Sequence, residues 1–128
     1  MEYTELLEKQ IIGRLKVDNP WWTEGVIPEY YSKMTPRMYL DIFYPLVRDM
    51  GLRRAMILMG PRRVGKTVML FHTIDRLIAE GVSPQNIIYI SVETPIYNKI
   101  ALEQLFTLSK QILGKSGSTS EEFWVMFD

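Results

Sequence analysis

The chain has 128 residues, 47% of them hydrophobic and 23% charged, which is the size of one ordinary soluble domain with material for a core. Fifteen Lys and Arg balance fifteen Asp and Glu, so nucleic-acid binding is not indicated and only a local patch would hold a polyanion. With no Cys and a single histidine, His72, disulfides, thiolate nucleophiles, Cys-ligated metals and multi-His metal sites are excluded.

The opening MEYTELLEKQ is acidic and amphipathic, unlike a secretory leader. The most apolar short run, Ala55 to Met59, is far below the roughly 20 residues that span a bilayer. A cytoplasmic, soluble protein with no membrane partner is expected. Tyr3, Leu6, Leu7, Ile11 and Leu15 share one helical face and predict a helix over 2–15. DNPWWTEGVIPEYYSK mixes turn formers with paired aromatics and predicts an irregular segment pinned by its rings. Thr35 and Pro36 have the form of a helix start, and Tyr39, Phe43, Leu46, Val47 and Met50 keep helical spacing to Gly51. Pro45 inside that pattern predicts a kink or break near Asp41 to Tyr44.

The period then changes. AMILM, residues 55–59, predicts a strand buried on both faces, ending at Gly60. Val68, Phe71, Ile74, Leu77 and Ile78 mark a helix closed by Gly81 and Pro84. IIYISV (87–92) predicts a second strand, ALEQLFTLSKQIL (101–113) a second helix stopping at Gly114, KSGSTSEE a polar turn or flexible loop, and FWVMFD a third strand. This alternation predicts an α/β fold with a parallel sheet and crossover helices. The predicted division is a helical, aromatic-rich lead segment, 1–51, followed by an α/β core, 52–128, which the glycine-rich GPRRVGKT after its first strand marks as a partial P-loop NTPase ending with the third strand.

The loop between the first strand and its helix carries the chemistry. Gly60, Gly65, Lys66 and Thr67 fit the P-loop pattern GxxxxGK[ST] at every fixed position. A random chain this long shows that pattern in well under about 1% of cases, and here it also lies between a strand and a helix, as its mechanism requires. Glycines let consecutive N–H groups turn inward onto phosphate oxygens. Lys66 supplies a mobile positive charge for the β- and γ-phosphates, the Thr67 hydroxyl is a ligand for Mg²⁺, and the following helix dipole adds to both. The predicted nucleotide-binding segment is Gly60, Pro61, Arg62, Arg63, Val64, Gly65, Lys66, Thr67 and Val68. Arg62 and Arg63 either reach a phosphate or a neighbouring subunit or form a solvated loop crest.

Trp124, Val125, Met126 and Phe127 followed by Asp128 have the form of a Walker B strand, whose terminal carboxylate holds the Mg²⁺ water shell. One helix–strand–helix unit after a P-loop, that reading outweighs a simple strand stop, so the candidate metal residues are Thr67 and Asp128. Glu93, at the end of the second strand, either positions water or Mg²⁺ or caps and solvates the surface, with the second preferred. His72 is read as structural. Trp21, Trp22, Tyr30, Tyr31, Tyr39 and Tyr44 offer a stacking wall for adenine, but packing is the stronger reading for most of them.

NPWW, then a helix, then RRAMILMGPRRVGKTVMLFHTIDRLIAEGVSPQNIIYISVETPIY, resembles the N-terminal part of archaeal and bacterial AAA-type (AAA+ superfamily) predicted ATPases. In that family the P-loop domain is followed by a C-terminal domain of nuclease-like or winged-helix character. The resemblance runs from about Asn19 to Asp128. It implies that Lys66 and Thr67 hold Mg-ATP and that Asp128 is the first Walker B acid. The family pattern continues with a water-activating Glu, a sensor residue, an arginine finger and two further strands, so the chain resembles a fragment truncated at the Walker B aspartate. The partner implied is then the C-terminal remainder of the same protein. In the family arrangement a later strand inserts between the P-loop strand and the Walker B strand. The chain alone is therefore expected to self-associate or to pair its strands differently.

The leading expectation is an ATP-binding AAA-type module that hydrolyses ATP only in the full-length protein. A small-molecule P-loop kinase needs an acceptor pocket and a basic lid, neither of them visible in the sequence. Asn98-Lys99-Ile100-Ala101 fails the guanine signature at its fourth position. A nucleotide-switched interaction module without hydrolysis is the alternative from another class.

Overall fold

A computed structural model describes residues 2–35, 39–48, 55–57, 64–114 and 123–128. Within them the order is α1 (Glu2–Asp18), α2 (Trp21–Glu24), α3 (Glu29–Ser32), α4 (Tyr39–Arg48), β1 (Ala55–Ile57), α5 (Val64–Ala79), β2 (Ile87–Ile90), α6 (Leu102–Ile112) and β3 (Trp124–Phe127). Short 3₁₀ turns at Pro84–Asn86 and Pro95–Tyr97 flank β2. Pro36, Met50, Gly51, Leu58, Met59 and the 115–122 segment lie outside the described residues.

The helices follow local rules with two adjustments. α1 runs three residues past Leu15, and its last turn is closed by Arg14, whose Nε donates to Asp18 Oδ2 at 3.0 Å. α4 continues through Pro45, so the expected break does not occur. The bond that proline removes would have ended on the carbonyl of Asp41, and Asp41 is exposed, so water can take its place. α5 ends as predicted at Gly81. Its φ of +100° lets the Gly81 N–H reach Ile78 O at 3.0 Å and the Val82 N–H reach Leu77 O at 3.0 Å, the paired bonds of a Schellman stop.

The three strands are parallel in the order β1-β3-β2. Ala55, Met56 and Ile57 pair with Val125, Met126 and Phe127, so no gap separates the P-loop strand from the Walker B strand, and the strands pair differently from the family arrangement, one of the two outcomes expected. Direct pairing lets β3 use the backbone groups of both its edges, which a gap would leave buried and unmet. Right-handed crossovers from β1 over to β2 and back to β3 require α5 and α6 on opposite faces. The packing agrees: α3 and α4 lie on α5, and α1 lies on α6. All four residues of β2 are buried, as expected for a strand covered on both faces.

The outer edge of β2 is closed by side chains. Asn19 Oδ1 accepts from the Tyr89 N–H at 2.7 Å, and Asn19 Nδ2 donates to Tyr89 O at 3.0 Å and to Leu15 O at 2.8 Å. The indole N–H groups of Trp21 and Trp22 both donate to Ile87 O at 2.8 Å. The Ile87 N–H is taken by Pro84 O. The NPWW segment thus does for this edge what a fourth strand would do, and it removes a template for unwanted pairing. Behind it, Ile11, Leu15, Trp21, Leu70, Ile74, Leu77, Ile88 and Met126 form one continuous core with the sheet. No helix among the described residues is long and apolar enough to cross a membrane.

Candidate functional site

Asp128 follows β3 directly, and its backbone stays in the ladder: its N–H donates to Ile90 O and its carbonyl accepts from Val92 N–H, both at 2.9 Å. The side chain is therefore delivered at the carboxyl ends of the strands by a fixed backbone. Open α/β sheets bind their ligands at that end. α5 starts at Val64, which places Lys66 and Thr67 in its first turn at the same end.

The three residues converge. Thr67 Oγ1 donates to Asp128 Oδ2 at 2.8 Å, and Lys66 Nζ lies 3.3 Å from Oδ1. A third donor was not foreseen: the Tyr89 hydroxyl reaches the same Oδ2 at 2.6 Å. Oδ2 thus carries two hydrogen bonds from hydroxyls, whereas Oδ1 is buried and faces the Lys66 ammonium 3.3 Å away. Burial alone would push the Asp128 carboxyl up; the hydrogen bonds from Tyr89, Thr67 and Lys66, with the Lys66 charge, outweigh it and hold the group below its ordinary range.

The Asp128 side chain is fully buried and that of Lys66 is 14% exposed. Burying an ion pair seldom improves stability over an apolar pair of the same volume. A lysine held beside a carboxylate at a helix N-terminus is suited instead to exchange that carboxylate for an anionic ligand. Among the described residues no three His, Cys, Asp or Glu side chains group to hold a metal. The oxygens present, one carboxylate and one hydroxyl, suit a hard cation that also takes oxygens from water and phosphate.

The remaining candidates separate. Gly60, Pro61, Arg62 and Arg63 lie outside the described residues. Val64 and Gly65 open α5, and Val68 turns into the core. Glu93 stands in an exposed turn after β2. His72 is buried on α5 with Nε2 2.7 Å from Tyr31 O; a carbonyl only accepts, so Nε2 carries the proton in this contact. Trp21, Trp22 and Tyr44 are buried, and Tyr31 stacks on Phe71 with centroids 4.2 Å apart, so these rings pack the fold. Tyr30 is exposed, and the Tyr39 side chain is outside the described set. The signal for Tyr89 was its phenol within an aliphatic strand, since a buried tyrosine hydroxyl usually finds a partner.

A model of the AAA domain family matches residues 52–128, more than half of the chain. The chain belongs to the AAA domain family. Comparison with curated proteins and with solved structures gives no match. The AAA domain match takes in the glycine-rich loop, Lys66, Thr67, Tyr89 and Asp128, and begins after the Asn19–Trp22 segment that seals the β2 edge.

Proposed function

We infer that the chain is the ATP-binding module of an AAA-type P-loop ATPase, with hydrolysis belonging to the full-length protein. The observation that carries this reading is the meeting of the adjacent Lys66 and Thr67 with Asp128, 61 residues beyond Thr67, at the carboxyl end of a parallel sheet. Gly60 to Val68 would wrap the phosphates with backbone N–H groups. Lys66 would leave Asp128 for the β- and γ-phosphates, exchanging one anion for another without losing its charge partner. Thr67 and Asp128 would hold Mg²⁺, for which Oδ1 of Asp128, which faces Lys66 and would be released as that lysine moves to phosphate, is a fitting oxygen. Bound Mg²⁺ supplies neutralisation of the phosphate charge.

The partner reading goes with this one. Among the described residues β1 pairs only with β3, so a strand from the rest of the full-length protein or from a second copy would find an edge there. Sedimentation over a range of concentrations should then show association of the chain alone, and a monodisperse monomer throughout would count against it. The reading of the site is tested by titrating the chain with Mg-ATP and Mg-GTP beside Lys66→Ala. Wild type should bind ATP, and the variant should lose about tenfold or more, the equivalent of one charge-assisted contact. Equal binding by both proteins would remove the phosphate-cradle assignment.

A further inference from the structure

Asp128 is held asymmetrically. Both hydroxyl donors, Tyr89 Oη at 2.6 Å and Thr67 Oγ1 at 2.8 Å, fall on Oδ2, and Oδ1 faces the Lys66 ammonium at 3.3 Å. Thr67 is itself a candidate ligand, so the donor with no other task is Tyr89. Its ring is buried against Phe71 with centroids 4.9 Å apart, and Phe71 is in turn flanked by Tyr31 and Trp21. Its peptide N–H and C=O are both gripped by the amide of Asn19, which is 1% exposed and tied to Leu15 O. The phenol is therefore a donor whose backbone and ring are fixed independently of the carboxylate it meets.

We propose that Tyr89 is a positioning residue for the Mg²⁺ site: its phenol ties Oδ2 of Asp128 and so presents Oδ1 to the hydrated cation, and Asn19 secures that placement from outside the AAA domain. This rests on the ATP-binding reading above. Without the phenol, Asp128 can turn and offer both oxygens to Lys66, which opposes the transfer of that lysine to phosphate and misdirects the oxygen meant for the cation. Groups that orient a metal's carboxylate from behind typically account for a factor of about 10–100 in metal affinity.

The test uses the whole chain as wild type, Tyr89→Phe, Asn19→Ser and Lys66→Ala, each titrated calorimetrically with ATP in Mg²⁺ and in EDTA, with thermal melts of the nucleotide-free proteins. The readout is the ratio of the two ATP affinities, which a purely structural defect leaves unchanged because it weakens both together. Tyr89→Phe should lower that ratio by about tenfold. Asn19→Ser, which loosens the grip but keeps the phenol, should lower it by a smaller factor. A wild-type ratio in a folded Tyr89→Phe overturns the proposal while Lys66→Ala still loses binding. Should Tyr89→Phe fail to fold, a wild-type ratio in Asn19→Ser overturns it equally. Absence of ATP binding by wild type, or equal binding by Lys66→Ala, removes the ATP reading and the proposal together.

Discussion

Asp128 contributes to stability only while it is ionised. Its folded carboxyl titrates below the ordinary value of 3.8, so its stabilisation is in force above that pH and is lost as pH falls through the folded value. An Asp128→Asn variant has no such group. The acid limb of its melting-temperature profile below about pH 4 should be shallower than that of wild type, and superimposable limbs would show that the cluster adds nothing at this position. The same residue shows how far a residue-scale reading of the sequence reaches. An apolar run ending in Asp after a P-loop marked the carboxylate, and the loop pattern marked Lys66 and Thr67, because each of those roles is tied to a fixed spacing along the chain. Tyr89 was not marked, since its role depends on the strand beside it.

At the scale of elements, the edge of β2 is the place where the sequence said least and the structure most. Asn19 was one turn former among several, yet its amide meets the N–H and C=O of Tyr89 seventy residues away. Asn19→Ala would leave that buried pair unmet, at about 1–3 kcal/mol for each group that cannot rehydrate. Urea denaturation should show a loss of about 2–4 kcal/mol, and a loss near zero would mean that water reaches the edge. Trp21→Phe should lose much less, because Trp22 donates to the same Ile87 carbonyl. Helix stops were legible for a local reason. Gly81 has room for a Cβ, so Gly81→Ala meets only the backbone strain of a φ of +100°. That strain is about 1–2 kcal/mol, and a thermal melt should register it as a fall of several degrees.

Across the whole molecule, buried phenols set the alkaline limit. Burial pushes the Tyr97 hydroxyl up to about 12, and burial followed by the hydrogen bond to Asp128 raises Tyr89 further. In the unfolded chain both return to the ordinary value of 10.0, so the stability they carry is complete below pH 10 and is lost as pH rises from there toward 12. Denaturant midpoints should fall over that window, and Tyr97→Phe should make the fall shallower; an unchanged slope would show that Tyr97 ionises as easily in the folded chain as in the unfolded one.

The sequence by itself determined the longer helices and the three strands, the stop at Gly81 and the parallel α/β class, and it marked Lys66, Thr67 and Asp128 as candidates. Each follows from residue periodicity or from backbone geometry within a few residues. Only the tertiary structure decided that β3 lies directly between β1 and β2, that α4 passes through Pro45, that the NPWW aromatics seal a strand edge, and that Tyr89 meets Asp128. Those outcomes turn on which backbone groups would otherwise be buried without partners, and that is settled by packing between segments far apart in the chain.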